Sequence, residues 1–193
     1  MANLNKDFWE NRYISNEIGW DVGEITIPLK EYIDQIENKD LKILIPGAGN
    51  GYEFDYLISN GFKNVWVVDI AKQPLENLAS RNPEFKNNFI QSDFFELNNE
   101  FDLIIEQTFF CALEPNLRSK YVDKMYSLLS KKGKIFGLLF DFELTEVGPP
   151  FGGCKEEYIE LFTEKFNLKV LERAYNSIKP REGRELFFIF EKK

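Results

Sequence analysis

Histidine is absent from this chain of 193 residues. Its absence excludes Ser-His-Asp and Cys-His catalysis, histidine-ligated zinc and any imidazole general base. Cysteine occurs only at Cys111 and Cys154, too few for a four-thiolate zinc site or a disulfide framework. No metal site is therefore expected. Positive charge is also scarce: 24 Lys and Arg stand against 32 Asp and Glu, for a net charge of −8. So acidic a chain lacks the basic face that neutralises duplex phosphates or settles on anionic lipid. Neither nucleic acid nor a membrane is an expected partner. No apolar run reaches the roughly 18 residues of a membrane-spanning helix. The opening residues Met1–Trp9 have no apolar stretch of the signal-peptide kind. The expected location is the cytoplasm, with both thiols reduced, and the expected state is a monomer.

What is present suits one well-filled domain over residues 1–193. Hydrophobic residues make up 44% of the chain, and 19 of them are Phe, enough for a sizeable core. Short apolar runs bounded by Gly, Pro, Asn or Asp predict strands at 42–46, 65–69, 88–92, 102–106, 134–140, 169–174 and 186–190. Helical spacing of apolar residues predicts helices at 52–59, 73–81, 117–130 and 155–166. The alternation predicts an α/β fold with a mostly parallel, seven-stranded sheet covered on both faces. The last two strands are too close in sequence for a crossover helix, so they should form an antiparallel hairpin. Residues 1–40, with helical stretches near 7–15 and 28–37, form an N-terminal extension.

Three features carry chemistry. Gly47, Gly49 and Gly51 follow the first strand and open a helix, so the backbone can turn sharply and approach a ligand closely. In an open α/β sheet that is where ligands bind. Tyr52 stands where a dinucleotide loop has its third glycine, which argues against a nicotinamide or flavin cofactor. Asp69 ends the second strand, where an acid can accept hydrogen bonds from ribose hydroxyls or cap the next helix. Asp93 and Phe94 follow the third strand. The carboxylate there can take an adenine amino group while the ring packs on the base; a turn residue and a core residue are the alternatives.

These segments, with 8–13, 19–21, 109–115, 125–129 and 148–151, resemble a class I S-adenosylmethionine-dependent methyltransferase with its Rossmann-like fold. Within that superfamily the chain resembles the thiopurine S-methyltransferase family, and in particular the branch with plant thiol and halide methyltransferases. The segments 109–115 and 148–151 are more specific to it than the glycine loop. The resemblance implies S-adenosyl-L-methionine as cofactor. It implies that Trp9, Tyr13 and Trp20 cover the cofactor as a lid, and that Gly47, with Gly49 in the same loop, lies under its methionine portion. Asp69 would hold the ribose, Asp93 and Phe94 would bracket the adenine, and Gln107 would stand near the transferred methyl. The plant branch has Trp at the position of Tyr13, and Asn50 replaces other residues of related loops.

The implied reaction is methylation of a small soft nucleophile, a thiol or hydrosulfide first and a halide next. Thiopurine-like aromatic thiols and selenium or tellurium oxyanions are the alternatives within the enzyme class. A nicotinamide-dependent oxidoreductase and a binding protein that has retired its active site are the alternatives outside it. Displacement on a sulfonium methyl needs alignment more than proton transfer, so no catalytic residue is assigned. A hard acceptor would need a base, for which Asp21, Glu106 and Asp141 are the candidates. Cys111, in an apolar run, reads as a buried small hydrophobe. Arg118 reads as a helix-face pair or cap, and Arg181 as a solvated loop charge that could alternatively reach an anionic acceptor.

Overall fold

The computed structural model describes residues 4–193; Met1, Ala2 and Asn3 of the N-terminal extension lie outside the described residues. Two helices come first, α1 (Lys6–Ile14) and α2 (Ile27–Asp34). Asn5 caps α1 by accepting from the Phe8 N–H at 3.0 Å, and Pro28 in the first turn of α2 needs no donor there. Strand and helix then alternate through β1 (Ile43–Pro46), α3 (Tyr52–Ser59), β2 (Val65–Asp69), α4 (Gln73–Arg81) and β3 (Phe89–Gln91). The chain continues through β4 (Phe101–Gln107), α5 (Arg118–Leu128), β5 (Leu129–Phe140), α6 (Lys155–Phe162), β6 (Phe166–Arg173) and β7 (Glu185–Lys192).

The seven strands form one sheet in the order β3-β2-β1-β4-β5-β7-β6. All pairings from β3 to β5 are parallel, and β7 runs antiparallel between β5 and β6. Helices on both faces bury β1 completely, which is why it reads as an unbroken apolar run. Alternate residues feed two cores. Leu44 and Ile104 pack with Tyr121, Met125 and Phe162 on one face; Ile43, Ile45 and Leu103 pack with Leu29, Phe54 and Leu78 on the other. Each such side chain contributes roughly 1.5–3 kcal/mol by leaving water.

Two predicted helices overrun their real ends. The helix expected to reach Ser130 stops at Leu128, because Leu129 pairs with Phe101 and opens β5. The helix expected to reach Phe166 stops at Phe162, and Phe166 pairs with Lys192 at the start of β6. Leu129 and Phe166 are buried in either reading, so apolar spacing alone does not mark the boundary. Strand order reverses between β1 and β4: the chain moves outward from β1 to β3, then returns to β1's other side. Loops diverge there at the carboxyl ends of the strands and leave room for a ligand.

Candidate active site

The glycine loop joins the end of β1 to α3. Gly47 and Gly51 have φ of +78° and +75°, which L side chains rarely adopt. A Cβ on Gly47 would lie 3.0 Å from the Phe109 ring, and one on Gly51 would run into Leu78. A Cβ on Gly49 would meet nothing within 4 Å, so the loop is bare at that point.

Asp69 braces this loop from β2. Its two carboxylate oxygens accept from the Ala48 and Ala71 N–H groups, both at 2.8 Å. It does not cap α4, whose cap position is Lys72. Only 8% of Asp69 is exposed. Burial pushes its carboxyl up to about 6, against the pull of those N–H groups, and the Glu10 charge adds to the rise.

The N-terminal extension lies against the same loop. Trp20 stands edge-on to both Trp9 and Tyr13, with ring centroids 5.7 Å apart in each pair. Burial, and next the Asp69 charge, hold the Tyr13 phenol protonated well beyond its usual range. Glu10 accepts from the Lys72 N–H at 2.5 Å, docking α1 on the N-terminus of α4, where a negative charge is favoured. Asp21 accepts from the Gly23 N–H at 2.7 Å, from the Asn50 amide, and from the Tyr52 hydroxyl at 3.2 Å. Asn50 and Tyr52 are thus the residues of the glycine loop and the start of α3 that the extension grips.

One cavity of about 630 Å³ runs between these parts. Trp9, Tyr13 and Trp20 of the extension line it, as do Gly47, Gly49 and Asp69. Asp93 and Phe94 line it beyond β3, and Gln107 lines it at the end of β4. All nine residues expected to bind a cofactor therefore share one space. Two have further attachments: Asp93 accepts from the Phe95 N–H at 2.8 Å, and Phe94 is packed edge-on against Phe95 and Phe109 and is almost wholly buried.

The candidate bases separate. Glu106 is fully buried, outside this cavity. It accepts from the Phe109 and Phe110 N–H groups at 2.8 and 2.9 Å and from the Tyr121 hydroxyl at 2.6 Å. It shapes the loop after β4. Asp141 is tied to Arg173, and of the three only Asp21 reaches the cavity. Cys111 is buried, donates its thiol to the Thr108 carbonyl at 3.3 Å, and is held protonated by burial. Arg118, at the start of α5, does form a pair, donating to Glu157 of α6 and to the Gly152 carbonyl, each at 2.5 Å, but it is buried rather than on an open helix face.

Arg181 corrects the expectation of a solvated charge. It is 9% exposed, donates to the Trp20 carbonyl at 2.6 Å, and lines the cavity with Phe140, Pro149 and Pro150. Glu53, in the first turn of α3, lines it too and was not anticipated. The available signal was its place four residues before Leu57, which puts a carboxylate on the helix's buried stripe.

The strand order, the bare glycine loop after β1 and the buried acid ending β2 define a class I S-adenosylmethionine-dependent methyltransferase. The fold is shared with the 1,6-didemethyltoxoflavin-N1-methyltransferase of Burkholderia thailandensis, solved with S-adenosylhomocysteine bound. That likeness has a TM-score of 0.76 and 19% identity and covers 97% of this chain and 87% of that one. The family model for thiopurine S-methyltransferase matches residues 4–192, and the chain belongs to that family. A probable thiol methyltransferase 2 of Arabidopsis thaliana is 30% identical over 195 residues, 96% of this chain and 84% of the relative. A thiocyanate methyltransferase 1 of Brassica oleracea is 29% identical over 184 residues, 92% of this chain and 81% of the relative. The protein is an S-adenosylmethionine-dependent S-methyltransferase, and the oxidoreductase and retired-site readings fall away.

The residues present fit that cofactor. Each Asp69 oxygen takes one backbone N–H and keeps further acceptor capacity. The Gly49 position is open. Trp9, Tyr13 and Trp20 line the same space. No helix among the described residues is long and apolar enough to cross a membrane.

Proposed function

We propose that the acceptor is a small soft nucleophile, a thiol or hydrosulfide first and a halide next. The observation that carries this reading is Arg181. A nearly buried guanidinium lines the cavity among Cys111, Phe140, Pro149 and Pro150, and the acids Glu106 and Asp141 lie outside it. Apolar side chains around that guanidinium, whose charge the buried Glu185 at 3.5 Å partly balances, suit a compact anion that sheds its water easily.

In this reading Asp69 holds the ribose, and Asp93 with Phe94 holds the adenine. Gly47 and Gly49 underlie the methionine portion, Gln107 stands beside the transferred methyl, and α1 with the loop through Trp20 acts as a lid, while α2 packs into the core through Leu29 and Ile33. S-adenosylmethionine supplies a methyl group on a sulfonium, already an excellent leaving group. The protein's work is then placement. Arg181 attracts and orients the anion in line with the methyl, and proximity supplies much of the acceleration. Trp9, Tyr13 and Trp20 line this space, and aromatic faces attract a cation such as the sulfonium by about 0.5–2 kcal/mol each while keeping water away.

An aromatic thiol of the thiopurine kind is the second reading, favoured by the flat faces of Phe140, Pro149 and Pro150. A methyl-transfer assay with small thiols, hydrosulfide, iodide, bromide and 6-mercaptopurine separates the two. Turnover of small thiols or iodide above that of 6-mercaptopurine is expected. Turnover of 6-mercaptopurine alone would establish the second reading.

A further inference from the structure

We infer that Glu53 is the counter-charge for the α-ammonium group of the cofactor's amino-acid tail. The inference rests on the cofactor placement proposed above and not on the identity of the acceptor.

Glu53 is the second residue of α3, immediately past the glycine loop, half-buried, and lines the same cavity as Gly47 and Gly49. The other inward carboxylates of this cavity are engaged. Asp69 braces the loop through Ala48 and Ala71, Asp93 takes the Phe95 N–H, and Asp21 holds Asn50, Tyr52 and Gly23. Glu24 is exposed. Among the described residues the Glu53 carboxylate has no ion-pair partner, and its own backbone N–H is the group that most favours its charged form. A carboxylate partly withdrawn from water without a cationic partner is costly. Burial accordingly pushes this carboxyl up to about 7. The charged groups that face it are Arg181, from the turn before β7, which opposes the rise, and Asp21, from the loop after α1, which adds to it.

The cofactor has two cationic centres. Its sulfonium has no hydrogen to donate and suits the aromatic faces. Its ammonium has three N–H donors and calls for a carboxylate. Strand order separates the acids accordingly. Asp93 follows β3 and Asp69 ends β2, the two that meet the nucleoside in the placement proposed above, whereas Glu53 lies in the first turn of α3, after β1 and Gly47. The apolar end of β1, Ile45-Pro46, offers no other acid there.

The test is calorimetry with two ligands. S-adenosylhomocysteine has the tail; 5′-methylthioadenosine keeps the adenine, ribose and sulfur but lacks it. Glu53→Gln should weaken S-adenosylhomocysteine about ten- to a hundredfold, the range for losing a charged hydrogen bond, and leave 5′-methylthioadenosine within about twofold. Glu53→Asp, which keeps the charge on a shorter arm, should fall between. In the unaltered protein the ratio of the two affinities should drop as pH falls through 7, because the carboxylate takes up a proton; in Glu53→Gln it should stay flat. Asp69 meets the ribose common to both ligands, so its titration cancels in the ratio. Unchanged S-adenosylhomocysteine binding, or an equal loss with both ligands, would overturn the assignment. Loss of methyl transfer with product binding intact would also overturn it, by moving the carboxylate to the acceptor.

Discussion

Glu106 and Asp69 are both buried acids, yet their surroundings give them different work. Glu106 is saturated by two backbone N–H groups and the Tyr121 hydroxyl, and burial pushes its carboxyl from 4.5 up to about 7. The folded protein therefore keeps a proton that the unfolded chain has released between those values. Folding stability from this group is full below about pH 4.5 and is lost as pH rises to about 7. Glu106→Gln can keep all three contacts, its amide oxygen facing the two N–H groups and its NH2 facing Tyr121. The variant should match the original in melting temperature near pH 4.5 and exceed it by several degrees at pH 8, a difference of about 2–3 kcal/mol. A constant offset at both pH values would mean that the charge of Glu106 costs nothing. Asp69 keeps acceptor capacity to spare. Asp69→Ala should weaken S-adenosylhomocysteine by roughly 1–3 kcal/mol, measured by calorimetry on folded protein. An unchanged dissociation constant would leave it as a brace for the glycine loop and nothing more.

At the scale of elements, the parallel strands were legible in the sequence because burial on both faces writes them as short apolar runs. The two helix ends at Leu128 and Phe162 were not, because the next residues of the stripe stay buried as the chain turns into strand. The same distinction applies to the candidate site. Gly47, Asp69 and Asp93 sit at strand ends, where local spacing reveals them. Arg181 is buried through a bond to Trp20, 161 residues away in the chain, which no local pattern encodes. Glu53 was hidden by its type, since an acid in a first helical turn reads as favourable to the helix dipole. The extension tests the value of such long-range contacts. Trp20 is partly buried against Trp9 and Tyr13 rather than within either core. Trp20→Ala should lower turnover per folded molecule while the melting temperature changes little. A collapsed melting temperature with normal residual turnover would make the extension a clamp on the fold instead of a cover for the reaction.

Across the whole molecule, the extension and the C-terminal segment close on each other over the sheet. Arg181 reaches Trp20, and Tyr175 and Asn176 reach Glu31 at 2.9 and 2.8 Å. The resulting space joins the acid ending β2 and an acid after β3 to a guanidinium from the turn before β7, in a chain without histidine. The account built on this arrangement is that the protein positions an already reactive nucleophile and does not deprotonate it. A pair of pH–rate profiles on one preparation, at saturating cofactor and subsaturating acceptor, tests that most directly. With a thiol of pKa about 8.5 the rate should rise roughly tenfold per pH unit and level off near that pKa, following the thiolate. Iodide, which has no proton to lose, should give a nearly flat profile over the same range. An inflection shared by thiol and iodide would reveal an enzyme group taking part in the chemistry and would contradict the account.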